Sequence, residues 1–187
     1  MAHFPSMKHE LTRQHRQHLL DIALESIRHG LRHDKPLVTD SAHYPSALRE
    51  KRGLFVTLML DGNLRGCIGN TEAVASLHTA TADSAFNAAF RDPRFQRLTH
   101  IEYPNISLEI SILTPKTAIR FDSDQSLLAQ LQPGSDGLVI MKTTRSATFL
   151  PSVWDKISDP EEFLTLLKTK AGIKPDEVPE AAWTYQT

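Results

Sequence analysis

The residues with the greatest chemical potential sit in one run, Leu64-Arg65-Gly66-Cys67-Ile68-Gly69. Cys67 is the single cysteine in 187 residues. A thiol reacts as its thiolate, and a nearby cation favours that form. Arg65 lies two residues upstream, and residues two apart on a regular strand share a face. Cys67 is therefore the candidate nucleophile or redox thiol and Arg65 its candidate activator. Gly66 and Gly69 carry no side chain, so their amides could approach a ligand or a developing oxyanion closely. The competing reading is a small apolar cysteine packed inside a strand, with Arg65 paired to a buried carboxylate such as Glu109 or Asp92.

A nucleophile needs a base. His78 and His100 are available, but no spacing ties either to Cys67. His3, His9, His15 and His18 read as a polar helix face. His15 and His18 stand three apart without a third ligand, so no metal site is expected. Arg91, Asp92, Arg94 and Arg97 surround Pro93 and Phe95. Arginines there could grip a phosphate or carboxylate; a structural ion pair is the preferred reading for Asp92 and Arg94. Glu109 and Ser111 lie on the polar side of an alternating segment, where they either line a cleft with Cys67 or form a wet sheet face. Arg145 and Thr148 are further candidates for substrate contact, although a hairpin and core-anchor role comes first. Trp154 reads as core. No residue set calls for a cofactor.

The elements that must position these groups can be read from periodicity and turn chemistry. Thr12 to Leu31 predicts a helix with Leu20, Leu24, Ile27 and Leu31 as its apolar stripe, Thr12 as N-cap and Gly30 as stop. Leu54 to Leu60 is apolar apart from Thr57, as in a buried strand. Asp61-Gly62-Asn63 predicts a hairpin. With Asp61-Gly62 as the loop, Cys67 faces Val56; with Gly62-Asn63, it faces Leu58. The alanine-rich stretch Ala73 to Phe90 predicts a helix that Asp92-Pro93 ends. Asn105 to Leu113 alternates, with Ile106, Leu108, Ile110 and Ile112 on one side. Gly137 to Lys142 and Ser146 to Leu150 suggest a second hairpin around Thr143-Thr144-Arg145. Asp159, Pro160 and Glu162 mark a helix start, and Gly172 its end. Ala181 to Thr187 would add an edge strand. Hairpins mixed with helices, without regular βαβ alternation, indicate an α+β fold.

Hydrophobic residues make up 40% and charged residues 23%, with a net charge of −1. This is the balance of an ordinary globular protein, without a general pull toward nucleic acid or anionic membranes. There is no apolar run long enough to span a bilayer and no apolar signal core at the start. With a lone cysteine, a reducing, cytoplasmic setting is expected.

Four blocks occur in order: GLFVTLMLDGNLRGCIG, AFNAAFRDPRF, ISLEISILTP, and GLVI…ATFLPSVW followed by FLTLLKTKAGI. Together they resemble the AMMECR domain family, whose bacterial and archaeal members are called component A of the AmmeMemoRadiSam set. The similarity covers roughly Leu19 to Tyr185, and LRGCIG is its most specific motif. It implies a single domain over residues 1–187, with residues 1–11 as a loose extension. Within it, two unequal, interleaved subdomains would be built on antiparallel sheets flanked by helices. It also implies a Memo-like protein and a radical SAM protein as partners. Around Thr143-Thr144-Arg145-Ser146-Ala147 the chain departs from members that carry glycine and a second basic residue. The leading functional expectation is an enzyme or enzyme component with a cleft at Cys67, acting on a small or peptide-bound substrate. The alternatives are a non-catalytic adaptor and a nucleic-acid-binding protein using Arg65, Arg91, Arg94 and Arg97. The charge balance counts against the last.

Overall fold

The computed structural model describes residues 11–187. The expected loose extension, and with it His3 and His9, lies outside the described residues, Leu11 excepted. The chain divides once, into a first unit ending at Ile112 and a second unit, Leu113–Thr187. The α+β class and the two antiparallel sheets are as expected. Interleaving is not observed: each sheet draws its strands from one continuous stretch of chain.

The first unit opens with helix α1, Arg13–His33. Thr12 caps it, its hydroxyl accepting from the His15 N–H while the His15 ring accepts from the Thr12 N–H. His15 thus serves the cap. The buried stripe is Leu19, Ile22, Ala23, Ser26, Ile27 and Gly30. This corrects the predicted stripe, of which only Ile27 is fully buried; Leu24 is 38% exposed. Gly30 is not the stop either. A Cβ there would overlap the rings of Phe86 and Phe90, so the glycine lets another helix come close. The helix ends at Asp34, whose φ of 54° is left-handed.

Helix α2, Ser46–Arg49, leads to strand β1, Leu54–Leu60, which turns through Asp61-Gly62 into β2, Asn63–Asn70. Helix α3 runs from Leu77 to Phe90, starting four residues later than the alanine content suggests because Ser76 takes the extended N-cap conformation. Strand β3, Ile106–Ile112, completes a sheet of order β2-β1-β3. Leu54, Val56 and Leu58 point into a core shared with Leu19, Ile27, Leu77, Ala85 and Phe86. The other face of β1 carries Phe55, Thr57 and Met59, all half-buried.

The second unit holds β4 (Thr117–Ile119), α4 (Asp124–Leu128), β5 (Gly137–Lys142), β6 (Arg145–Phe149), α5 (Pro160–Ala171) and β7 (Ala181–Tyr185). Asp159 and Gly172 cap α5 as predicted. The sheet order is β4-β7-β5-β6. β7 is therefore an interior strand, not an edge; alanine at two of its five positions hides the apolar signal of a central strand. Trp154 is core: it stacks on Phe163 at 3.8 Å and its indole N–H donates to the Asp136 carbonyl at 2.7 Å. Lys168 is 1% exposed, with its ammonium held by Asp124 and the Pro175 carbonyl.

Candidate functional site

Neither predicted hairpin register is correct. The turn is Asp61-Gly62, but β2 carries one extra residue opposite the Leu58/Met59 step. The bulge shifts the pairing by one, and Cys67 falls opposite Thr57. A one-residue shift moves a side chain to the other face of a sheet. Cys67 thereby leaves the core side, which Val56 and Leu58 occupy, and joins the half-buried side with Thr57. Arg65 is the unpaired residue at that bulge, so the regular strand that would bring Arg65 and Cys67 onto one face does not exist here.

Arg65 is instead used structurally. Its Nε donates to Glu102 Oε1 at 2.9 Å, and its Nη2 reaches the Arg97 carbonyl at 3.3 Å. The hydrogen bond from Arg65, with the Thr99 amide and hydroxyl, holds the Glu102 carboxyl down at about 2. The carboxylate partner is thus Glu102, which the sequence reading did not single out.

The cation that does reach Cys67 is Arg94. Asp92, 4% exposed, sits beside the free edge of β2. Its Oδ2 accepts from the Cys67 N–H at 2.9 Å, and Oδ1 accepts from the Arg94 N–H at 3.1 Å and Nε at 2.9 Å. Arg94 Nη2 bonds Oδ2 at 2.6 Å and lies 3.4 Å from the Cys67 carbonyl. The expected Asp92–Arg94 ion pair is therefore present, as a latch on the cysteine's peptide group. The Arg94 guanidinium is the main cause that lowers the Asp92 carboxyl to about 2. Because the Cys67 N–H points away from β1, the Thr57–Cys67 pair is of the narrow, non-hydrogen-bonded kind, in which side chains approach closely. The Thr57 hydroxyl donates to Cys67 Sγ at 3.2 Å.

Thr57 also pairs with Glu109 on its other side. Cys67, Thr57 and Glu109 thus form one row across three strands, with Cys67 and Glu109 backbones ~10 Å apart. Glu109 is exposed, and the Ser111 hydroxyl lies 3.5 Å from its Oε1.

Gly66 and Gly69 serve packing. A Cβ on Gly66 would run into the Ala88 carbonyl oxygen of α3, and one on Gly69 into the Leu54 carbonyl and Phe55. Gly66→Ala is therefore expected to separate helix from strand and cost at least about 3 kcal/mol, measured by urea unfolding. His78 does not bond to Cys67. It is buried at the start of α3 among the hydroxyls of Thr39 (2.8 Å), Ser76 (2.9 Å) and Ser41 (3.3 Å), and stacks on Tyr44. Burial first, then Arg49, lowers its pKa. Arg145 and Thr148 belong to the second unit. Arg145 donates to the Gly172 carbonyl at 2.5 Å, and Thr148 to the Leu138 carbonyl at 3.0 Å, with Tyr185 Oη 2.7 Å away. Among the described residues no cluster of three or more His, Cys, Asp or Glu could hold a metal ion. Thr57 is the neighbour of Cys67 that the sequence does not single out as a site residue; its signal is being the one polar residue in an otherwise apolar strand.

The AMMECR1 family profile matches residues 20–187. The chain belongs to the AMMECR1 family. A Methanothermobacter thermautotrophicus relative is 37% identical over 167 residues, covering 89% of this chain and 86% of its own. A Methanopyrus kandleri relative is 35% identical, covering 91% and 83%. Among solved structures, an uncharacterized protein from Pyrococcus horikoshii superposes with a TM-score of 0.82 at 32% identity, over 90% of this chain and 87% of that one. The AMMECR1 match spans both units. The LRGCIG run of this AMMECR1 member thus lies on an edge strand whose cysteine faces outward from the core. No helix among the described residues is long and apolar enough to cross a membrane.

Proposed function

We propose that the Cys67–Thr57–Glu109 row is a thiol site, and that the protein is a cytoplasmic enzyme or enzyme component working through Cys67 on a small or peptide-bound substrate. The observation that carries this reading is the Thr57 hydroxyl bonded to the sulfur of a cysteine that is only partly buried. A hydroxyl that donates to sulfur stabilises the thiolate more than the thiol, since the anion is the better acceptor. In an acyl transfer the sulfur would add to the carbonyl carbon and expel the leaving group. Glu109 lies in the same row to take the thiol proton through water. The Asp92–Arg94 latch keeps the Cys67 peptide fixed during attack. A Memo-like protein and a radical SAM protein are the partners the family resemblance supplies for this chemistry.

Because Cys67 is the sole cysteine, alkylation by iodoacetamide reports on it alone. Thr57→Val is expected to slow alkylation at neutral pH about fivefold, the worth of one lost hydrogen bond. Cys67→Ser is expected to melt with the parent while abolishing labelling. A parent alkylation rate in Thr57→Val, together with a large drop in melting temperature for Cys67→Ser, would make the cysteine a packing residue and favour the adaptor reading.

A further inference from the structure

An open surface depression of about 610 Å³ lies in the first unit between the C-terminal turn of α1 and the segment that follows α3. Its volume falls in the range of small-molecule sites. Gly30, Leu31, Phe90 and Leu98 supply apolar surface. Arg32 and His33 line it from α1, and Arg97 and His100 from the other side. Asp34 is the one carboxylate in the lining, and it already binds Arg97, Nη2 to Oδ1 at 2.5 Å. The pair leaves Arg32 without an acidic partner in the depression, so the lining carries surplus positive charge beside an aromatic surface.

We propose that this depression binds a small phosphomonoester with a flat apolar body. The body would lie against Leu31 and the small exposed part of Phe90, which is 7% exposed. A phosphomonoester offers three acceptor oxygens to several donors at once, and arginine is suited to that geometry. The last-turn carbonyls of α1 carry partial negative charge, so the head group belongs on the wall of Arg97 and His100. The Arg97 guanidinium also lies over the Phe90 ring, 5.3 Å from its centroid, which orients the cation toward the apolar floor. Asp34 would act as the stand-in anion that the ligand displaces. This site shares no residue with the Cys67 row, so its test is independent of the thiol reading.

Phenyl phosphate is the probe, titrated into the full chain and followed by amide and histidine NMR shifts. Saturable binding with a Kd on the order of 1 mM is expected. The shifted signals should cluster at Arg32–Asp34 and Arg97–His100. Inorganic phosphate should bind at least about tenfold more weakly, since it leaves the apolar floor uncovered. Arg97→Gln should weaken phenyl phosphate about fivefold, and Arg32→Gln, on the α1 wall, should weaken it less. Asp34→Asn should tighten it about two- to fivefold, by freeing Arg97. All three altered charges are on exposed side chains, and the opposite signs separate a lost ligand contact from a damaged fold. Equal affinity for inorganic phosphate, weaker binding in Asp34→Asn, or shifts centred elsewhere would each overturn the proposal.

Discussion

Asp92→Ala is expected to destabilise the first unit by roughly 3–4 kcal/mol, among the largest effects of any single change there. Asp92 is buried, and four donor contacts converge on it. Bonds to a charged acceptor contribute about 1.5–3 kcal/mol, and the Cys67 amide would lose its partner. Arg94, with 54% of its side chain exposed, turns to water at little cost. Chemical denaturation measures the loss, and amide exchange at Cys67 locates it. The pH profile provides a second check. Asp92 and Glu102 both sit at about 2 in the fold, below their ordinary values, because Arg94 and Arg65 bind their charged forms. Their contribution is complete above the unfolded carboxylate range and is lost as pH falls toward ~2. The parent should therefore lose stability between about pH 4 and 2, and Asp92→Asn/Glu102→Gln should show a flatter acid limb. A double variant as steep as the parent would remove the latch from the account of stability.

Asp124→Ala is the second large effect, in the other unit. Among the described residues it leaves the buried Lys168 ammonium with the Pro175 carbonyl as its remaining partner. Breaking a buried pair by removing one partner costs about 3–5 kcal/mol, because the remaining charge is uncompensated. Lys168→Met removes that charge and fits the same stem, so it should cost less than about 2 kcal/mol. The double variant should then be more stable than Asp124→Ala alone, a strongly non-additive cycle. Additive losses would mean that the two groups do not depend on each other.

What could be read beforehand divides along physical lines. Turn and cap chemistry is local, so Asp159-Pro160 and Gly172 bounded α5 and Asp61-Gly62 placed the hairpin. Alternation in Ile106–Ile112 found β3 for the same reason. The α1 stripe was misplaced because Gly30 and Ser26 do core work that no hydropathy scale credits: Ser26 is buried by bonding the Ala82 carbonyl at 2.7 Å. The bulge in β2 decided the site and left no mark in residue types, since the Arg65 step looks regular until its partner strand is seen. The same holds for Arg65 with Glu102, 37 residues apart. Arg94, Glu109 and the motif cysteine were named from sequence, whereas the Thr57 hydroxyl that completes the row emerged only once the register was known.

The position of β7 inside the second sheet has a consequence for the order of folding. β4 is hydrogen-bonded within that sheet to β7 alone, and their paired residues stand more than 60 positions apart. The β5–β6 hairpin can close on itself as soon as it emerges, but β4 must wait for a strand made long after it. Distant pairing delays a contact because loop closure has to be met before it is rewarded. The three residues of β4, made before any other strand of this unit, are thus fixed last, and until β7 arrives one edge of β5 stays open to another chain. Crowded synthesis of this protein is therefore most exposed to mispairing along β5, and a chain arrested before Ala181 should aggregate through that strand while the first unit, already complete by Ile112, stays out of the aggregate's core.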